Sequence, residues 1–226
     1  MCGIVGYVGT PGQSKPALGV VIDALRRMEY RGYDSAGIAL LDGSGGMAVE
    51  KKAGKLDNLV ATVESAGLEN YPATTGIGHT RWATHGRPTD INAHPHVDQL
   101  GKIAVVHNGI IENFAPLHAE LEAQGVEFTS ETDTETVTHL LHAEYYGEGP
   151  NAGNFTASVM AVINRLEGAF TLVIAHADHP DMLMACRRST PLVIGVGEHQ
   201  MFLGSDVAAF IEHTREAVEL GQDNVV

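Results

Sequence analysis

Grouped strand patterns, with helical patterns in blocks between them, restrict the fold of this 226-residue chain more than any other feature. Short apolar runs bounded by turn residues predict strands at 3–9, 36–41, 47–52, 75–83, 103–107, 170–175, 182–186, 192–196 and 201–205. Helical spacing of apolar residues predicts helices from Ser14 to Gly32, at 56–65, at 111–124, from a capping box at Thr132 to Tyr145, at 159–166 and near 207–213. Since strands with short connections favour antiparallel pairing, we expect an α+β fold with largely antiparallel sheets covered by helices.

Charge and composition argue against several classes of function. The chain has 14 Lys and Arg against 28 Asp and Glu, a net charge of −14 that repels nucleic acid. No apolar run reaches the roughly 18 residues needed to cross a bilayer, and the N-terminus lacks a signal-peptide pattern. With only Cys2 and Cys186, no disulfide framework is indicated. We therefore expect a cytoplasmic protein with neither nucleic acid nor membrane as a partner.

Cys2 is separated from the chain end only by Met1. If Met1 is removed, one residue carries both a thiol and an α-amino group, whose ordinary pKa values are about 8.5 and about 7.7–8.0. The amine can then take the thiol proton, directly or through a water, as it does for N-terminal threonine nucleophiles. The alternative interpretation is a small buried hydrophobic residue, which describes most cysteines.

Asn108 and Gly109 are candidate donors to an oxyanion. Both follow an apolar strand that ends near His107, where backbone N–H groups can be left unpaired. A side-chain amide and an unobstructed glycine N–H are suited to stabilise the negative charge that develops on a carbonyl under attack. An ordinary Asn-Gly turn is the alternative interpretation.

Arg81 and Asp133 are candidates for binding a substrate that has a carboxylate and an ammonium group. A guanidinium can bind a carboxylate through two hydrogen bonds, and Asp133 offers the opposite charge. Asp133 is also explained as an acid in a first helical turn. Trp82, the only tryptophan, is typical of packing at a core or its rim.

Five motifs occur in order along the chain: "MCGIVG", "RRMEYRGYDSAGIA", "GHTRWATHG", "VVHNGIIEN" and "SETDTE". Together they resemble the class II glutamine amidotransferases, which have an N-terminal cysteine nucleophile. Within that group they are most similar to the glutaminase domains of the glutamine:fructose-6-phosphate amidotransferases. The amidophosphoribosyltransferases, the alternative, tend to carry "HRGQDSAG" and "HNGNL" instead.

The resemblance implies a four-layer αββα fold in which two antiparallel sheets lie between helix layers. It also implies that L-glutamine is hydrolysed to glutamate and ammonia through a γ-glutamyl thioester on Cys2, with no metal and no cofactor. Cys2, Asn108, Gly109 and Arg31 would be the catalytic group, with Asn108 and Gly109 as the oxyanion hole. The substrate-binding group would be Arg81, Thr84 and His85 for the carboxylate, Asp133 for the ammonium, and Trp82 in a loop that closes over glutamine.

In full-length relatives of this kind, a C-terminal isomerase part binds fructose 6-phosphate and receives the ammonia. We expect residues 1–226 to be a single glutaminase domain without that part. The resemblance implies a homo-oligomer for a full-length enzyme, while an isolated domain is compatible with a monomer.

Two rival hypotheses come from other classes of function. Twelve histidines, including His94 and His96 around Pro95, suggest a metal-dependent hydrolase, although a His-x-His pair is weak evidence for zinc. A binding domain that kept the fold but lost turnover is the second, and the complete set of matched polar residues argues against it.

Overall fold

The structure is a computed structural model that describes residues 2–83 and 86–226. The strands are β1 (Gly3–Gly9), β2 (Ser35–Leu41), β3 (Met47–Ala53), β4 (Thr75–Arg81), β5 (His96–Val97), β6 (Ile103–Ile111), β7 (Gly168–His176), β8 (Leu183–Arg188), β9 (Val193–Gly197), β10 (Gln200–Gly204), β11 (Ala217–Glu219) and β12 (Asn224–Val225). The α-helices are α1 (Ala17–Arg27), α2 (Leu56–Ser65), α3 (Phe114–Ala123), α4 (Asp133–Tyr146) and α5 (Phe155–Arg165).

The strands form two antiparallel sheets. One has seven strands in the order β11-β9-β10-β1-β4-β2-β3, and the other has five in the order β12-β8-β7-β6-β5. Neighbouring strands pair antiparallel throughout both sheets. The prediction of antiparallel sheets with helices is therefore confirmed.

Alternation of side chains along the strands produces three apolar layers. In β1, Val5 and Tyr7 pack with α1 and α2, whereas Ile4 faces the other sheet. In β6, Ile103 and Val105 pack with α3, α4 and α5, whereas Ala104 and Val106 lie between the sheets. Because successive strand residues point to opposite faces, each sheet has one face against helices and one against its partner. The four-layer αββα arrangement is confirmed.

Glycines in β4 let α1 lie close to its sheet. A Cβ on Gly78 would come within 2.6 Å of Val21 and 3.0 Å of Leu25, both in the buried stripe of α1. Contacts below about 3 Å between carbon atoms are repulsive, so a side chain here would push the helix away. The high glycine content of the chain thus has a packing role at this position.

The strand β6 is longer than the sequence predicts. It runs to Ile111, with Ile111 opposite Gly168 of β7, so Asn108 and Gly109 lie within the strand and do not follow its end. The next helix, α3, consequently begins at Phe114. The predicted end of the strand was wrong because the second half of β6 contains polar residues. Its pairing with β7 nevertheless continues to Ile111.

The helix α4 begins where the sequence predicts, but the predicted capping box is absent. The Thr132 hydroxyl lies 2.9 Å from His96 Nε2 and makes no cap bond to the helix. Glu135 accepts hydrogen bonds from the backbone N–H groups of Thr129 and Ser130. The carboxylate of Glu135 therefore fixes the segment before the helix. In a capping box it would instead accept from the backbone N–H of Thr132.

Two other predicted helices differ in extent. The α1 helix ends at Arg27, and Gly32, with φ of 71°, closes a separate 3-10 turn at Glu29–Arg31. Near 207–213 only a short 3-10 turn, Val207–Ala209, forms. Among the described residues, no helix has both the length and the apolar character that crossing a membrane would require.

Candidate active site

The strand register brings the polar side chains between the two sheets at one end of β1. Gly3 is opposite Thr80 and Ile4 is opposite His79, so Cys2 comes beside the end of β4. On β4 the side chain of Ile77 faces the second sheet, and the two-residue period gives the same orientation to His79 and Arg81. The same period turns Asn108 of β6 toward Cys2. Four side chains from three strands thus converge.

Cys2 is held through the backbone of Trp82. The N–H of Trp82 donates to Cys2 Sγ at 3.1 Å, and the carbonyl oxygen of Trp82 lies 3.6 Å from the same sulfur. Burial raises the pKa of the Cys2 thiol, and the hydrogen bond from Trp82 offsets part of that increase. The thiol is therefore mainly protonated near neutral pH, and a nucleophilic role would require a base.

Asn108 and Gly109 lie next to Cys2, as the candidate oxyanion donors should. Asn108 Nδ2 donates to the carbonyl oxygen of Cys2 at 3.2 Å, and its Oδ1 is 2.9 Å from His79 Nε2. Gly109 has φ of 118°, and a Cβ at this position would lie 2.1 Å from the carbonyl oxygen of Ala169. Backbone conformation and space both require glycine there.

Arg31 contacts the backbone of Cys2. Its Nη1 lies 3.5 Å from the carbonyl oxygen of Cys2 and 3.3 Å from Ser205 Oγ, and its Nη2 donates to Asp206 Oδ2 at 2.6 Å. Ser205 Oγ also accepts from the backbone N–H of Ile4. The sequence interpretation missed Ser205 and Asp206, which follow β10 in an ordinary "GSD" turn that gives no sign of its distant partner.

Arg81 and Asp133 line the same cavity as Cys2, His79, Trp82 and Gly109. Asp133 Oδ2 accepts from the backbone N–H of Ile111 at 2.9 Å, and Oδ1 lies 3.5 Å from His107 Nδ1. Burial alone would raise the pKa of Asp133, but hydrogen bonds from His107, Ile111 and Thr134 outweigh it and lower the pKa. The cavity therefore presents a guanidinium and a carboxylate as fixed opposite charges.

Trp82 is half exposed at the entrance, with its ring against Gly32. A Cβ on Gly32 would lie 3.2 Å from the indole. Asp34, from the same "YRGYD" motif, accepts from the N–H of Ala83 and fixes the start of the following loop. Thr84 and His85, the other two predicted substrate-binding residues, lie outside the described residues.

Buried histidines in and beside the cavity form a stack of aromatic rings. His79 and His94 stack with ring centroids 4.4 Å apart, and His96 meets His94 edge-on at 4.9 Å. Burial lowers the pKa of His79 and of His96 to about 3, so both rings are neutral. Within residues 2–83 and 86–226, no group of three or more His, Cys, Asp or Glu is arranged to hold a metal ion.

A sequence model of a family described as "Glutamine amidotransferase domain" matches residues 79–212, more than half of the chain. The chain belongs to this glutamine amidotransferase family. The match includes His79, Arg81, Asn108, Gly109 and Asp133, so most of the cavity lies within the matched segment.

Several relatives of this amidotransferase chain share one name. It is 66% identical to the glutamine--fructose-6-phosphate aminotransferase [isomerizing] of Mycolicibacterium smegmatis, over all of this chain and 36% of that protein. It is 60% identical to the protein of the same name in Streptomyces coelicolor, over all of this chain and 35% of that protein. The chain therefore spans about a third of the length of these relatives.

Solved structures show the same fold at much lower identity. A glutamine phosphoribosylpyrophosphate amidotransferase from B. subtilis, complexed with ADP and GMP, superposes with a TM-score of 0.79 at 23% identity. That alignment covers 98% of this chain and 46% of the other. This likeness shows the shared fold alone, and the sequence similarity favours the fructose-6-phosphate group over the amidophosphoribosyltransferases.

Proposed function

We propose that this domain hydrolyses L-glutamine to glutamate and ammonia with Cys2 as the nucleophile. The observation that carries the proposal is that Cys2, Gly109, Arg81 and Asp133 line one cavity, with the amide of Asn108 hydrogen-bonded to the backbone of Cys2. An amide substrate with a carboxylate and an ammonium at its other end matches those groups. Glutamine has this chemistry, and the family description contains its name.

The raised pKa of the Cys2 thiol gives the α-amino group its role. After removal of Met1, that amine takes the thiol proton as sulfur bonds to the amide carbon of glutamine. The proton then passes to the amide nitrogen, the C–N bond breaks, and ammonia departs. The γ-glutamyl group remains bound to Cys2 as a thioester. Water adds to the thioester, glutamate departs, and the proton returns to sulfur.

The oxyanion of each tetrahedral intermediate would be stabilised by Asn108 and Gly109. Asn108 Nδ2 carries two hydrogens and uses one on the carbonyl oxygen of Cys2, so the other remains for the substrate. Removing one donor of this kind typically slows turnover by about 10²–10³. Arg31, held by Asp206, would support the main chain of Cys2 and not the substrate itself.

Glutamine would be oriented by charge at its amino-acid end. Arg81, with Thr84 and His85, which follow it in the sequence, would bind the carboxylate, and ionised Asp133 would bind the ammonium. Trp82 would cover the bound substrate, which its half-exposed position at the entrance allows.

The relatives' name supports a proposal for the role of the whole protein. We propose that residues 1–226 are one glutaminase domain, whose ammonia serves synthesis of glucosamine 6-phosphate from fructose 6-phosphate in a separate isomerase part. We also propose that the full-length enzyme is a homo-oligomer in the cytoplasm. The free thiols of Cys2 and Cys186 support the reducing compartment.

A glutaminase assay on the chain with Met1 removed tests the proposal. We expect glutamate release, its loss by at least about 10³-fold in Cys2→Ala, and a γ-glutamyl adduct by intact mass under rapid quench. The matched control is Cys186→Ala, because Cys186 is buried in β8 and burial raises its pKa to about 12. Unchanged activity in Cys2→Ala, or full activity with the α-amine acetylated, would contradict the mechanism.

A further inference from the structure

The amide of Asn108 has only one orientation that satisfies both of its neighbours. The carbonyl oxygen of Cys2 can only accept a hydrogen bond, so the group facing it at 3.2 Å must be Nδ2. Asn108 Oδ1 is therefore the atom 2.9 Å from His79 Nε2. Since this oxygen can only accept, the hydrogen of that contact must belong to His79.

The imidazole of His79 is suited to hold this orientation permanently. Its side chain is buried, and burial lowers its pKa to about 3, so the ring has a single N–H over the working pH range. That hydrogen is on Nε2 and is directed at Asn108. A fixed neutral tautomer offers Asn108 one donor and no acceptor at Nε2. Rotation of the Asn108 amide would therefore lose this hydrogen bond.

The ring of His79 is itself fixed from behind. It stacks on His94 with an interplanar angle of 23°, and His94 Nδ1 accepts from the backbone N–H of His107 at 3.2 Å. The hydroxyl of Thr134, in the first turn of α4, lies 2.9 Å from His107 Nδ1 and 3.4 Å from His94 Nε2. The histidine stack therefore links the amide of Asn108 to α4.

We propose that His79 is a positioning residue for the oxyanion donor. By donating from Nε2 to Asn108 Oδ1, it keeps Nδ2 directed at Cys2 and at the reacting carbonyl. This inference rests on the proposed glutaminase activity. In this proposal, the buried His79 orients the amide of Asn108, and it neither binds a metal nor transfers a proton.

Replacing His79 should separate turnover from binding. In His79→Leu, Oδ1 of Asn108 loses its donor and the amide rotates, so we expect kcat for glutamine hydrolysis to fall about 10- to 100-fold. The KM for glutamine should change less than about threefold, because Arg81 and Asp133 are untouched. His79→Gln can donate from its amide nitrogen and should recover at least part of kcat.

A double-mutant cycle with Asn108→Ala gives the discriminating measurement. Once Asn108 lacks its amide, His79→Leu should lower kcat by less than about twofold, because no donor remains to be positioned. An equal loss in both backgrounds would overturn the proposal and leave His79 a general structural residue. As a control, His176→Gln removes another fully buried histidine, in β7, and should leave kcat unchanged.

A measurement on the unmodified side chain covers the case in which His79→Leu does not fold. Nitrogen-15 NMR of the wild-type chain at pH 7 should show His79 protonated at Nε2 and bare at Nδ1. The opposite tautomer, or a charged ring, would overturn the proposal. Failure of the proposed function is recognised separately, as glutaminase activity that survives Cys2→Ala.

Discussion

The backbone N–H of Ile111 donates to Oδ2 of Asp133, which ties the first residue of α4 to the last residue of β6. Ile111 follows Gly109 by two residues, and its bond holds the carboxylate of Asp133 in the lining of the cavity that Cys2 also lines. The carboxylate thereby acts both as a structural acceptor and as a fixed negative charge facing the substrate space.

Replacement of Asp133 by asparagine should weaken glutamine binding. Asparagine retains an acceptor for Ile111 but loses the charge, and a hydrogen bond to a charged group is typically worth about 1.5–3 kcal/mol. We expect KM for glutamine to rise about 10- to 100-fold in steady-state assays. Asp178→Asn removes a carboxylate that pairs with Lys102, away from the cavity, and should leave KM unchanged. A fall in kcat without a rise in KM would contradict the assignment.

Replacement of Gly109 by alanine should abolish activity through geometry. With φ of 118° and the Ala169 oxygen 2.1 Å from the new Cβ, β6 must move away from β7. We expect at least a 10²-fold loss of kcat and destabilisation measured by urea unfolding. Gly101→Ala is the matched control: φ is 64° and no atom lies within 4 Å, so its cost should be only about 1–2 kcal/mol with activity retained. Equal behaviour of the two variants would rule out the steric explanation.

The sequence predicts the elements well because each has a local pattern. The helix α2 at Leu56–Ser65 and the strand β1 at Gly3–Gly9 have the predicted bounds, since their apolar spacing alone defines their buried faces. The end of β6 and the hydrogen bonds at the start of α4 were predicted wrongly for the same reason. Both depend on partners distant in sequence, Gly168 of β7 and His96, which no local pattern reveals.

The candidate site divides in the same way. Cys2, Asn108, Gly109, Arg81 and Asp133 were found from their chemistry and motifs, and the structure brings all five together. Asp206 was not found, although it orients Arg31, because the contact joins positions 175 residues apart. Such supporting residues become visible only when the fold places them beside a group that is already suspected.

Replacement of Asp206 by asparagine should lower kcat by releasing Arg31. The Arg31–Asp206 pair is partly buried at 2.6 Å, and it aims the guanidinium at the carbonyl oxygen of Cys2. We expect a loss of kcat on the order of 10-fold with KM for glutamine unchanged. The amide oxygen introduced by Asp206→Asn would still accept from the N–H of Ala208, which preserves the turn. Asp57→Asn breaks the exposed pair with Arg26 and should have no effect on turnover.

The buried histidines should make the fold sensitive to mild acid. Burial lowers the pKa of His79 and His96 to about 3 and that of His176 to about 4, so these rings are neutral in the folded state. In the unfolded chain they have the ordinary pKa of about 6.5 and bind protons first as the pH falls. The unfolded state then holds more protons, and the free energy of unfolding decreases with falling pH.

The decrease should begin near pH 6.5 and continue toward pH 4. Each such histidine contributes up to about 1.4 kcal/mol per pH unit in that window. His94, whose pKa burial also lowers, adds to the contributions of these three histidines. Urea unfolding at pH 7.5 and 5.5 should show this loss, and His176→Gln should reduce the slope by about a quarter, because it removes one of four such histidines. Because protonation of His79 would place a charge on a buried ring beside Arg81, a pH-independent free energy of unfolding would mean that water or an anion reaches the stack. A neutral His79 could then no longer be what fixes the orientation of the Asn108 amide.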